Sequence, residues 1–148
     1  MSVAIRPLAP ADRGQWNHLW QGYLDFYEEG LAPEVTETTW SRLMTDGADP
    51  HGLCAVVPGG RLVGIVHYLF HRSTWSTTHY CYLEDLFVDP GVRGGGIGRA
   101  LIEAVYAAAD RAGAPHVYWL TRHDNAAART LYDRVARLSP FVKYDRPG

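Results

Sequence analysis

Six consecutive residues carry the first chemical signal: Arg93-Gly94-Gly95-Gly96-Ile97-Gly98. They lie between a strand-like run, Tyr80 to Val88, and a run of helical spacing in which Leu101, Ile102, Val105 and Ala109 recur. A glycine-rich turn that opens a helix aims several backbone N–H groups at one point. The positive end of the helix dipole faces the same way. Such a turn is an anion site, most naturally for phosphate or pyrophosphate. Glycine is needed because a Cβ blocks close approach of backbone to phosphate. The Walker pattern is excluded, since it ends in Gly-Lys-Ser/Thr and no lysine is present here. G-x-G-x-x-G also fails, because from Gly94 and Gly96 the third position is Arg99. What remains is R-x-x-G-x-G, filled by Arg93, Gly96 and Gly98.

The second signal is the adjacent pair Glu84-Asp85 inside the apolar run YCYLEDLFV. Buried carboxylates are costly unless paired or used, so both are candidates for proton transfer or cation recognition. A structural ion pair or a strand-end cap is the alternative for each. Alternation puts Glu84 with Tyr82 and Tyr80 on one face, and Asp85 with Leu83 and Phe87 on the other. Residues that point apart cannot form a glycosidase or aspartic-protease pair. The third signal is Asn125 to Tyr132, N-A-A-A-R-T-L-Y. Tyr132 lies two helical turns beyond Asn125, on the same face. Asn125 at a helix start is also a natural cap, and Tyr132 a natural core aromatic.

These residues need a scaffold. The 148 residues suit one domain, 1–148, with a real core. A first strand is expected at 2–6, then a helix capped by Asp12. Its stripe of Trp16, Leu19, Trp20, Tyr23 and Tyr27 is either core or, in part, the wall of a substrate pocket. Asp25, Glu28 and Glu29 form an acidic cluster at its end, solvated or able to attract an amine. A second helix is expected at 35–45 and strands at 53–57 and 61–70 around Pro58-Gly59-Gly60. A polar connection with Trp75 follows, then the strand and helix that flank the glycine turn. A strand at 116–120, a helix at 125–136 and an edge strand at 141–144 complete the chain. The order is β-α-α-β-β-β-α-β-α-β, an α/β (α+β) fold. Hairpins imply antiparallel pairing, and the β-α-β passage implies one parallel crossover. A mixed, mostly antiparallel sheet with helices on both faces is the simplest packing.

Composition narrows the partners. A formal charge of -2 argues against a nucleic-acid module, which usually carries a basic stripe. No apolar run reaches membrane-spanning length and the N-terminus lacks a signal peptide, so a cytoplasmic protein is expected. Cys54 and Cys81 sit in apolar strand patterns and read as buried free thiols. His67, His71, His79, His116 and His123 have no ligand spacing, so no metal is expected. G-x-S-x-G is absent, which removes a nucleophile elbow.

The glycine motif resembles the acetyl-coenzyme A signature of the GCN5-related N-acetyltransferase (GNAT) superfamily, and the element order resembles its fold over nearly the whole chain. The resemblance implies acetyl-CoA as cosubstrate. It implies that the amides of Arg93, Gly94, Gly95, Gly96, Ile97, Gly98 and Arg99 cradle the pyrophosphate. In the family the preceding strand splays from its neighbour and its backbone pairs with the pantetheine arm, which assigns Leu86, Phe87 and Val88 to that role. Asn125, Ala128 and Tyr132 resemble the second motif, N-x-x-A-x-x-x-Y, implying that Asn125 contacts the arm and Tyr132 is the general acid at the sulfur. YLEDLFV resembles the spermidine/spermine acetyltransferases, which implies Glu84 as base, through water, with Asp85 helping to hold a cation. Residues 74–144 look like the histone-and-other-protein acetyltransferase branch. Its members act on histone lysines, polyamines and other small amines, or D-amino acids, and the last strand often mediates dimer contacts, implying a homodimer. The acceptor is thus a small primary amine or a protein lysine, with Glu28, Trp75, Tyr82, Glu84 and Asp85 as its candidate binding residues. A non-catalytic acyl-CoA sensor of the same fold is the alternative.

Overall fold

The computed structural model describes residues 2–92 and 94–148. Five strands form one sheet in sequence order: β1 (Ala4–Pro7), β2 (His51–Val56), β3 (Leu62–Arg72), β4 (His79–Val88) and β5 (Val117–Tyr118). Neighbours pair antiparallel except β4 with β5, which run parallel. Four helices complete the fold: α1 (Arg13–Phe26), α2 (Pro33–Leu43), α3 (Ile97–Arg111) and α4 (Ala126–Val135). The parallel pair is joined by the α3 crossover, as the β-α-β reading required.

Each sheet face has its own core. β3 is buried without interruption from Leu62 to Tyr68, because helices cover both of its faces. On one face Leu101, Ile102, Val105 and Ala109 of α3 pack against Val63, Val66 and Leu83. On the other, Trp16, Leu19 and Trp20 of α1 and Trp40 of α2 pack against Cys54, Ile65 and Phe87. Each of these large side chains contributes about 1.5–3 kcal/mol of transfer free energy on burial. α1 lies so close to β4 that a Cβ on Gly22 would come within 2.8 Å of the Phe87 ring. Both cysteines are free and buried, and burial pushes each thiol up to about 11.

Three expectations need correction. Asp12 precedes α1 but does not cap it with its side chain. Arg6 grips both of its oxygens, at 2.7 and 2.9 Å, and the Ala9 amide donates to it. A strong cation across the chain outcompetes a local cap. The fifth expected strand shrinks to Val117–Tyr118, because only those two residues pair with β4 in the ladder. Residues 141–144 form no strand; Phe141, Val142 and Tyr144 are exposed, Tyr144 at 92%. Among the described residues no strand lies alongside for their β-type side chains to pair with.

Candidate active site

The glycine turn sits where β4 ends and α3 begins. After a single 3-10 turn, Pro90–Val92, the backbone passes through Gly94 at φ +91° and Gly96 at φ +78°. Both are left-handed conformations that a Cβ would disfavour. Gly96 is the N-cap of α3, and the first amide bonded within the helix is that of Ala100, to the Gly96 carbonyl. The amides of Ile97, Gly98 and Arg99 thus head a fifteen-residue helix without intrahelical acceptors. That is a built anion cradle, and it fits a diphosphate. Gly98 serves a further purpose: a Cβ there would lie 3.2 Å from Leu131, so its absence lets α3 and α4 touch. Arg99 is exposed and paired with Glu103 at 2.9 Å. Arg93 lies outside the described residues.

Beyond the turn, β4 and β5 part. They pair only at Cys81–Val117 and Tyr82–Tyr118, while β4 runs on through Leu86, Phe87 and Val88 to the turn. A cleft occupies the opening, lined by Tyr23 of α1 and Tyr27 just past its end, Glu84 and Leu86 of β4, Trp119, and Tyr132 of α4. Tyr132 is half-buried, and Trp119 meets its ring edge-on at 5.4 Å between centroids. Burial, with a smaller contribution from Tyr27, pushes the Tyr132 phenol up to about 12. It is therefore a proton donor throughout the neutral range.

The two carboxylates do not sit as simple alternation predicts. Asp85 pairs with His67 but Leu83 pairs with Tyr68, so Glu84 is an extra residue in β4, a β-bulge. A one-residue insertion reverses which face each later residue meets. Leu83 packs with the α3 core, yet Asp85 and Phe87 face α1. The expectation that Asp85 shares a face with Leu83 is thereby corrected. The bulge delivers Glu84 to the cleft. Desolvation first, and the Asp85 charge second, raise its pKa above the ordinary carboxylate value.

Asp85 is held from the inside. His67, 1% exposed, bonds it through Nδ1 at 2.9 Å. Trp16 Nε1–H donates to His67 Nε2 at 3.0 Å. The Tyr23 hydroxyl lies beside Asp85, and burial first, with the Asp85 charge second, drives the Tyr23 pKa far upward.

Other expected site residues fall differently. Tyr82 lies near both carboxylates, which raise its pKa after desolvation, and it stacks on Tyr118 at 4.9 Å. Asn125 caps α4, accepting from the Ala128 amide and donating to Thr121. Trp75 is 79% exposed and faces Phe141, away from the cleft lining. Glu28 is exposed beyond the end of α1, at φ +55°. Its field bears on Arg122 and it does not line the cleft. Sequence reasoning missed Trp119 and the tie between His67 and Asp85. It left Tyr23 and Tyr27 undivided from the core stripe; the structure buries Trp16, Leu19 and Trp20 and gives the two tyrosines to the cleft. The signal was available, since the stripe changes from tryptophan to tyrosine as it nears the helix end.

With this geometry in view, the relatives can be placed. Residues 16–136 match the family model described as Acetyltransferase (GNAT) family. The D-amino-acid N-acetyltransferase HPA3 of Saccharomyces cerevisiae is 37% identical over 147 residues, covering 99% of this chain and 91% of that one. Mycothiol acetyltransferase of Salinispora arenicola is 37% identical over 97 residues, covering 64% of this chain and 31% of its own length. Among solved structures, the ribosomal-protein-alanine N-acetyltransferase of Brucella melitensis superposes with a TM-score of 0.83 at 21% identity, over 99% of this chain and 100% of that one. AAC(6')-Iy in complex with a CoA-containing bisubstrate analogue also gives 0.83, at 17% identity over 100% and 99% of the two chains. Likeness at that identity speaks for the fold, whereas the family match and the full-length yeast relative speak for descent. The chain belongs to the GNAT family and is an acetyl-CoA-dependent N-acetyltransferase.

Proposed function

We propose that this chain transfers the acetyl group of acetyl-CoA to a small primary amine by direct attack within a ternary complex. One observation carries the reading: Glu84 and Tyr132 line the same cleft, where β4 leaves β5 and just short of the glycine turn. The turn amides from Gly94 to Gly98 grip the pyrophosphate, with Arg93 and Arg99 flanking them in sequence as the cations to add charge. The β4 backbone at Leu86, Phe87 and Val88 guides the pantetheine arm toward the cleft.

Glu84 accepts a proton from the ammonium, directly or through one water. The freed amine attacks the thioester carbonyl, a C–N bond forms, and a β4 amide stabilises the oxyanion. Collapse breaks the C–S bond, the Tyr132 hydroxyl gives its proton to the leaving sulfur, and the proton that the nitrogen sheds on becoming an amide restores the phenol through solvent. The raised pKa of Glu84 suits a base that must also release its proton, and kcat/KM rises with pH as Glu84 ionises. Tyr82 and Asp85 surround the cation on the β4 side. An amino-acid substrate also needs a partner for its carboxylate. Arg122, exposed, paired with Asp124 and close enough to bear on Tyr27, offers one if the substrate carboxylate displaces Asp124.

The yeast relative makes D-amino acids the first substrates to try. The test is thiol release from acetyl-CoA over a panel of D-amino acids, L-lysine, spermidine and a histone peptide. Turnover of a free small amine well above the peptide supports the reading. Turnover of the peptide alone, or of nothing despite bound acetyl-CoA, overturns it.

A further inference from the structure

The His67–Asp85 contact has the distance of an ion pair, at 2.9 Å. The bond on the other side of the ring decides whether it is one. An indole N–H can only donate, so His67 Nε2, 3.0 Å from Trp16 Nε1, must present its lone pair. The proton on the ring therefore sits on Nδ1 and points at Asp85. A second proton would set N–H against N–H in a place 1% exposed to solvent. In that geometry His67 is the Nδ1–H tautomer, and its contact with the Asp85 carboxylate is a hydrogen bond rather than an ion pair.

We propose that Trp16 and His67 are positioning residues for the acetyl-transfer site: by locking His67 in its neutral Nδ1–H form they leave Asp85 an unneutralised anion beside Glu84, and so set the strength of the base. The inference rests on Glu84 as base for its kinetic consequence, but not for the tautomer itself. The chain of contacts spans three elements. Trp16 and Tyr23 come from α1, seven residues apart and on one face; His67 comes from β3, Asp85 from β4. α2 adds apolar cover through Trp40 and Leu43, and its Thr36 accepts from the Trp20 indole that packs on His67. Glu84 is faced by Asp85 and Tyr82 from its own strand, His67 from β3, Tyr23 from α1 and Tyr27 just past its end, and Tyr132 from α4. Within that group the Asp85 charge raises Glu84 and a charged His67 lowers it. Neutral histidine is thus the state that favours a stronger base.

Removing the indole donor tests this. Trp16→Phe leaves Nε2 without its partner and free to take a second proton, converting the contact to a true ion pair. The experiment follows the imidazole nitrogens by 15N NMR across the pH range of the activity profile, alongside kcat/KM and thermal melting. The wild type should show the neutral Nδ1–H pattern for His67 throughout. Trp16→Phe should show a doubly protonated His67 toward the acid side, and its acid limb should move down by about one pH unit. Trp16→Phe with His67→Gln, which cannot titrate, should return the limb to its wild-type place. A packing defect alone would lower the melting temperature without moving and then restoring the limb. A doubly protonated His67 in the wild type, or a folded Trp16→Phe whose His67 stays neutral, overturns the proposal. The two readings fail separately. If Glu84→Gln keeps the acid limb, the base assignment falls while the NMR result still decides the tautomer.

Discussion

The two faces of the sheet are built from different materials. The α3 face is apolar throughout: Leu101, Ile102 and Val105 close on Val63, Val66 and Leu83 with no charge among them. The α1 face is equally buried, yet a polar chain from Trp16 through His67 and Asp85 to Tyr23 runs through it and ends at the cleft. The first face holds the glycine turn in place, because the same helix that packs there begins at Gly96. The second leads to Glu84 and Tyr132, the groups proposed here to move protons. A buried polar chain is tolerable only when every member has a partner, and among the described residues no buried side-chain N or O lacks one. The lesson is that stability and reactivity are assigned to opposite sides of one strand, β4, and meet at its bulge.

Three substitutions would sharpen or break that division. The largest effect is expected from Tyr132→Phe, which removes the proton proposed to reach the leaving sulfur and keeps the ring. Turnover should fall by about 10²–10⁴-fold, the range for a lost general acid, while calorimetry shows acetyl-CoA affinity nearly unchanged. Unchanged turnover would remove the acid role. Next is Leu101→Ala on the α3 face, fully buried in the apolar core. It should cost about 2–5 kcal/mol in urea unfolding, with the pH profile of the surviving enzyme unmoved. A shifted pH profile would show that the faces are coupled rather than divided.

The smallest effect concerns Asp12, far from the cleft. The Arg6 hydrogen bonds hold its pKa below the ordinary carboxylate value. A depressed folded-state pKa contributes stability above the unfolded value, near about 4, and loses it as pH falls through the folded value. Asp12→Asn should cost about 1–3 kcal/mol at neutral pH, and the difference from wild type should close in acid. A difference that persists unchanged at low pH would mean that the charge is not what matters.

Much of this was readable in the chain because its signals are local. The strand-turn-helix around Gly96, the helical faces of α1 and α3, and the spacing of Tyr132 all lie within short windows. The errors share another cause. The bulge at Glu84 is invisible without knowing that His67 meets Asp85 and Tyr68 meets Leu83, a register set by β3. Asp12 has a cap's position but a partner in β1. His67 looked unremarkable because Trp16 lies 51 residues away and Asp85 18. Residues 141–144 carry strand-type side chains, but strand formation needs a neighbour that local pattern cannot supply.

The central claim is geometric, and a crystal structure of the chain with coenzyme A measures it directly. The expected result is a pyrophosphate on the amides between Gly94 and Gly98 and a sulfur between β4 and β5, within about 3–4 Å of the Tyr132 hydroxyl. A coenzyme bound elsewhere, or a sulfur beyond the reach of that hydroxyl, would contradict it.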